Sequence, residues 1–88
     1  MKTAVVILNW NTEGFLREFL PGLIRSVENV EGAEVVVADN ASTDGSMDVM
    51  TNEFPQVKTL KFEKNYGFTG GYNKAVSQID SDYFVLRN

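Results

Sequence analysis

The sequence predicts an α/β fold on a parallel sheet, in the order β-α-β-α-β-α-β. Four short runs rich in β-branched and aromatic residues lie at 3–8, 34–38, 57–62 and 83–86. Helix-period apolar patterns fill each of the three gaps between them. The first two runs are continuous rather than alternating, which suits strands covered on both faces. Strands that alternate with helices of this length imply βαβ crossovers, and crossovers imply parallel pairing.

Taken in order, residues 3–8 (Thr-Ala-Val-Val-Ile-Leu) form the first strand. Residues 14–28 follow, with Phe15, Leu16, Phe19, Leu20, Leu23, Ile24 and Val27 on one helical stripe. Pro21 lies inside it and removes a backbone donor, so a kink or a late helix start is expected there. Residues 34–38 form the second strand. Residues 44–54 place Met47, Met50 and Phe54 on one face. Ser42, Thr43 and Ser46 compete for its N-cap, and Pro55 stops it. Residues 57–62 alternate, as an edge or half-exposed strand would, and Lys58 and Lys61 discourage further pairing. Residues 69–79 put Tyr72, Ala75, Val76 and Ile79 on one face, with Thr69 as the N-cap candidate. Residues 83–86 complete the sheet.

Composition narrows the function. The chain has 88 residues, one small domain, and 43% of them are apolar, enough for a single core. Twelve acidic residues against eight basic give a net charge of −4, with the basic residues scattered. A nucleic-acid or anionic-membrane binder needs a basic patch, so neither partner is expected. Without cysteine there is no disulfide, thiol nucleophile or thiolate metal site. Without histidine the commonest general base and zinc ligand is missing. The longest apolar run, residues 4–8, is far too short to span a membrane, and no signal-peptide core is evident. A soluble protein of a reducing compartment is the expectation.

In parallel sheets ligands bind beyond the carboxyl ends of the strands, so the residues after each strand carry the functional argument. The first strand ends Asn9-Trp10-Asn11-Thr12. Carboxamides donate and accept, which suits reading a nucleobase edge or a ribose, although Asn11 or Thr12 could equally begin a helix. The second strand runs into Asp39-Asn40-Ala41-Ser42-Thr43-Asp44-Gly45-Ser46. Capping explains Asp44 or Ser46. Asp39 stands at the mouth of the sheet, where an acceptor could take the imide N–H of uracil or thymine, or a ribose hydroxyl. The third block is Asn65-Tyr66-Gly67-Phe68-Thr69-Gly70-Gly71-Tyr72-Asn73. Its glycines allow close backbone approach, but the spacing is not that of a dinucleotide or phosphate loop. Taken alone, a tight loop-to-helix turn accounts for it better, with Phe68 and Tyr72 as core or wall.

Together, in order and spacing, these blocks resemble the N-terminal nucleotide-binding half of family 2 glycosyltransferases, nearest a bacterial rhamnosyltransferase-like branch. The resemblance rests on Val-Val-Ile-Leu-Asn-Trp-Asn, Val-Val-Val-Ala-Asp-Asn-Ala-Ser-Thr-Asp-Gly-Ser, Asn-Tyr-Gly-Phe-Thr-Gly-Gly-Tyr-Asn-Lys-Ala and Tyr-Phe-Val-Leu-Arg-Asn. It implies a Rossmann-like half of an A-type glycosyltransferase fold, spanning residues 1–88, with the acceptor-binding half absent. By motif position Asn9, Asn11, Asp39, Asn65, Gly70, Gly71 and Asn73 are expected near the nucleotide of a UDP- or dTDP-sugar. Asn88 matches the start of a metal motif whose second carboxylate is missing. The resemblance further implies a magnesium or manganese ion on the diphosphate and a carboxylate base in the acceptor half. Transfer would go with inversion to a glycan or lipid-linked acceptor, in the cytoplasm or at the inner face of the membrane. The 88 residues alone are expected to bind nucleotide weakly, to lack activity, and to pair through an exposed edge or apolar surface.

Two other readings compete. A receiver-like signalling domain would need acidic residues after the first strand, where this chain has Asn9 and Asn11. A non-enzymatic module binding a nucleotide or a partner chain would use the same strand ends.

Overall fold

The computed structural model describes residues 1–87. Strands β1 (Thr3–Asn9), β2 (Ala33–Asp39), β3 (Lys58–Lys61) and β4 (Tyr83–Arg87) alternate with helices α1 (Glu13–Val27), α2 (Ser46–Glu53) and α3 (Gly67–Gln78). The four strands form one sheet in the order β3-β2-β1-β4, and every pairing is parallel. The two continuous apolar runs occupy the two central positions, as their patterning requires.

Because side chains alternate along a strand, each central strand feeds two cores. Ile7, Val35 and Val37 meet Leu16 and Leu20 of α1 and Val49 and Met50 of α2 on one face. Ala4, Val6, Val36 and Ala38 meet Tyr72 and Ala75 of α3 on the other. Each fully buried aliphatic side chain of this kind contributes about 1.5–3 kcal/mol.

The helix ends differ from expectation. Helix α1 begins at Glu13 and runs through Pro21 as one element, with no late start. Leu16 and Leu20 before the proline, and Leu23, Ile24 and Val27 after it, pack against the same core. Phe15 and Phe19 belong to the apolar stripe but stay exposed, stacked on each other with ring centroids 4.7 Å apart. None of Ser42, Thr43 or Ser46 caps α2; Gly45 holds the cap position without a side-chain bond. Its free amides are satisfied by carboxylates instead, Asp44 Oδ1 taking Ser46 N–H at 2.9 Å and Glu13 Oε1 taking Gly45 N–H at 3.1 Å. Helix α3 starts ahead of Thr69, at Gly67, whose N–H donates to Asn65 Oδ1 at 2.7 Å.

The two sheet edges are unlike. Edge β3 presents the exposed Lys58 and Lys61. Edge β4 presents Tyr83, Val85 and Leu86, all exposed, with no charge before Arg87. Beside it an apolar hollow of about 390 Å³ is lined by Ile7, Phe15, Phe19, Leu23 and Arg87, among others.

Candidate functional site

Parallel pairing places Asn9 and Asp39 opposite each other as the last residues of β1 and β2. Both side chains are buried. Asn9 Nδ2 donates to Asp39 Oδ1 at 2.8 Å and to Ser42 Oγ at 3.2 Å. Thr12 Oγ1 donates to Asn9 Oδ1 at 2.5 Å. Asp39 also takes the Ser42 hydroxyl on Oδ1 at 2.6 Å and the Ser42 N–H on Oδ2 at 2.9 Å. The ends of the two central strands are thus stitched together by side chains, where an unpaired buried carboxylate would be costly.

The loops that follow are locked to each other. Asn11, in the left-handed region at φ 53°, receives the N–H groups of Thr43 at 2.7 Å and Asp44 at 3.1 Å on its Oδ1. An asparagine tolerates that backbone conformation better than most residues. Ala41 also has positive φ, at 61°, and it turns the chain so that Ser42 folds back onto Asp39.

Asn40 ties β2 to the third block. Its Nδ2 donates to the Gly67 carbonyl at 3.0 Å, and its Oδ1 accepts from Tyr66 N–H at 3.3 Å. Gly71 permits this approach, because a Cβ there would lie 2.8 Å from both Asn40 Nδ2 and Leu8 Cδ1. Lys64 and Lys74 stand 5.0 and 4.9 Å from the centre of the Tyr66 ring. The Tyr66 hydroxyl bonds Glu63, which holds the Glu63 carboxyl below its ordinary range and pushes the phenol up.

A cleft of about 410 Å³ opens between these loops, lined by Leu8, Trp10, Thr12, Phe15, Asn40, Asn65, Gly67 and Phe68. Trp10 and Phe68 are more than half exposed, at 53% and 59%. Such an arrangement, with aromatic walls and two carboxamides, suits a flat polar ligand.

The structure therefore brings Asn9, Asn11 and Asp39 into one network, and Asn65 into the cleft wall beside it. Asn11 joins through its N–H, which donates to Ser42 Oγ at 2.9 Å. Gly71 serves close packing, and a Cβ at Gly70 would lie 3.2 Å from Tyr66 Cβ. Asn73 is exposed on α3 and does not line the cleft. Asn88 lies outside the described residues. Sequence reasoning missed Asn40 as a site residue and knew Ser42 only as a cap candidate. The signal for Asn40 was its place directly after Asp39, within a run that turn formation seemed to account for. Among the described residues, no three His, Cys, Asp or Glu side chains come together as a metal site.

Similarity to known proteins agrees with this geometry. Residues 4–87 match the family model described as Glycosyl transferase family 2. An N-acetylglucosaminyl-diphospho-decaprenol L-rhamnosyltransferase of Mycobacterium tuberculosis is 29% identical over 75 residues, covering 85% of this chain and 24% of its own length. The uncharacterized glycosyltransferase YfnE of Bacillus subtilis is 31% identical over 91 residues, covering 100% of this chain and 23% of its own. The crystal structure of S. aureus TarS 1–349 in complex with UDP-GlcNAc superimposes with a TM-score of 0.78 at 27% identity, over 98% of this chain and 26% of that one. The chain thus spans about a quarter of the length of these relatives. With its ordered strand-end blocks on an A-type glycosyltransferase sheet, the chain belongs to glycosyl transferase family 2.

Proposed function

We propose that this chain forms the nucleotide-binding part of an inverting glycosyltransferase that moves a sugar from a UDP- or dTDP-sugar to a glycan or lipid-linked acceptor. One observation carries the reading: the stitched ends of β1 and β2 stand beside an aromatic-walled cleft. Thr12, which donates to Asn9, also lines that cleft. Asn9, Asn11, Asp39, Asn65, Gly70, Gly71 and Asn73 make up the nucleotide site in this proposal. Trp10 and Phe68 offer faces on which a base or a sugar ring can stack. The rhamnosyl and decaprenol-diphosphate groups in one relative's name and the UDP-GlcNAc in the TarS complex support a nucleotide-sugar donor and a lipid-linked acceptor.

Inversion requires the acceptor oxygen to attack the anomeric carbon as the diphosphate leaves, its proton passing to a carboxylate base. Among the described residues no carboxylate lines the cleft, and turnover is not expected of these 88 residues by themselves. The magnesium or manganese ion implied by the resemblance is proposed for the full-length enzyme; among the described residues no three His, Cys, Asp or Glu side chains cluster to hold it. No described helix is long and apolar enough to cross a membrane, and the proposed place of action is the cytoplasm or its membrane face. The bare β4 edge and the Phe15–Phe19 hollow support pairing of two copies, which sedimentation over a concentration series would reveal.

Titration with UDP and dTDP, with and without magnesium, followed by amide NMR shifts, tests the proposal. Shifts confined to residues 9–12, 39–44 and 65–73 are expected. A well-dispersed spectrum that stays unmoved at millimolar nucleotide would overturn it.

A further inference from the structure

Charge is unevenly placed in the fold. Residues 58–74, which run from β3 into α3, hold Lys58, Lys61, Lys64 and Lys74 against one carboxylate, Glu63, a net charge of +3. The rest of the chain holds four basic against eleven acidic residues, a net charge of −7. Two of the four lysines converge on one ring. Lys64 Nζ and Lys74 Nζ lie over Tyr66, 5.0 and 4.9 Å from its centre, and Lys74 also reaches over Phe62 at 5.9 Å. The negative face of an aromatic ring attracts an ammonium group, which offsets the repulsion between two of them held close. Phe62 is buried and meets Tyr66 edge-on, with centroids 5.8 Å apart. Among the described residues neither Lys64 nor Lys74 forms an ion pair. Glu63 lies within the field of both, but its carboxylate accepts the Tyr66 hydroxyl. In the chain Tyr66 sits between Asn65 and Gly67, which both line the cleft, and Asn40, a third cleft residue, accepts its N–H. The lysines thus belong to the same loop that walls the cleft. The described lining of the cleft itself carries no charge.

We infer that Lys64 and Lys74 form an electropositive rim that draws a phosphate-bearing ligand, a nucleoside diphosphate, to the cleft. This rests on the donor-site reading above. A chain of net charge −4 repels a multiply charged anion at long range. Two ammonium groups without ion-pair partners, on the loop that walls the cleft, reverse the sign of the field where such a ligand enters. The attraction acts through the field and needs no bond to either lysine. Its reach is therefore set by salt, about 30 Å at 0.01 M and about 3 Å at 1 M. A neutral nucleoside feels none of it.

The test measures UDP and uridine binding by NMR titration, without divalent cations, in the wild-type chain, Lys64→Gln, Lys74→Gln and the double variant. Lys58→Gln is the control, because it removes the same charge at the other end of β3, beside Glu34. At about 0.01 M salt each rim variant is expected to weaken UDP about threefold and the double variant about tenfold. Lys58→Gln should stay within about 1.5-fold of wild type, and the differences should vanish near 1 M salt. Uridine should bind all of these proteins alike. Exchange of both rim lysines for arginine keeps the charge and should keep the affinity. Should Lys74→Gln not fold, Lys74→Met keeps the apolar stem over the two rings without the charge. Equal loss of UDP and uridine would make the lysines structural supports of the loop and overturn the inference. So would an unchanged double variant, or an equal loss in Lys58→Gln. Sedimentation with phosphatidylglycerol vesicles covers the other source of phosphate: capture lost in a double variant whose UDP affinity is unchanged would assign the rim to lipid headgroups and overturn the inference. Each of these leaves the donor site standing. Wild-type chain that binds neither UDP nor uridine overturns the donor-site reading, and the inference with it.

Discussion

Glu13 and Asp44 cap each other's helices. The Glu13 N–H, at the start of α1, donates to Asp44 Oδ2 at 3.2 Å, and the Gly45 N–H, at the cap of α2, donates to Glu13 Oε1 at 3.1 Å. Two helix N-termini, each with unpaired amides and a positive dipole end, meet here, and the carboxylates are exchanged between them. Asp44→Ala and Glu13→Ala are each expected to cost about 1 kcal/mol, a usual value for a lost cap. The double variant should cost less than the sum by about 0.5 kcal/mol or more, because the two bonds share one geometry. Urea denaturation of the four proteins measures both quantities.

The same contact predicts a pH dependence. Burial works against ionisation of Asp44, but hydrogen bonds from the Ser46 and Glu13 N–H groups favour it, and the carboxyl is held below its ordinary value. The folded value therefore lies under the unfolded one, about 4. The contribution is complete above that pH and is lost as pH falls through the folded value. Urea midpoints of wild type and Asp44→Asn should differ at pH 7 and begin to converge only once the pH falls below about 4.

Two glycines should respond in opposite directions to alanine. At Gly71 the new methyl group would press within 2.8 Å of Asn40 Nδ2 and Leu8 Cδ1, and overpacking of this kind costs about 1–3 kcal/mol. Weaker nucleotide shifts should accompany it, because Asn40 anchors Tyr66 and Gly67. At Gly14 nothing lies within 4 Å, so alanine should add about 0.5–1 kcal/mol through helix propensity. Thermal melts of the two variants give the sign of each.

Tyr72 links α3 to the outer strand. Its ring lies in the α3-side core, edge-on to Phe68 with centroids 5.1 Å apart, and its hydroxyl donates to the Arg87 carbonyl. Burial pushes the phenol up, so it remains a donor across the neutral range. Tyr72→Phe keeps the ring and removes this bond, at an expected cost of about 1 kcal/mol. Amide exchange should quicken at the carboxyl end of β4 while β2 is unaffected.

The strand assignments could be read from the sequence because continuous Val and Ile runs have few alternatives inside a small α/β chain. Helix starts could not. Ser42, Thr43, Ser46 and Thr69 are good caps by residue type, yet the amides at the starts of α2 and α3 are met by Glu13, Asp44, Asn40 and Asn65. Glu13 and Asn40 reach their targets from distant positions in the chain, and local propensity carries no trace of such bonds. Phe15 and Phe19 show a second limit. Periodicity places them on the apolar stripe, but among the described residues nothing packs over their rings, which stay exposed beside the hollow at β4. At the site, Asn9 and Asp39 were legible as strand-end residues. That Asp39 is held by Ser42 was not, because the bond depends on Ala41 adopting a backbone conformation that alanine rarely takes.

The stitched strand ends bear on inheritance. Asn9, Asp39 and Ser42 seal the two central strands to each other through protein groups alone. A descendant that gave up sugar transfer would still unravel at that seam if it discarded them. Selection for a folded chain alone would then preserve these three residues, and relatives that have lost the reaction should still carry them intact.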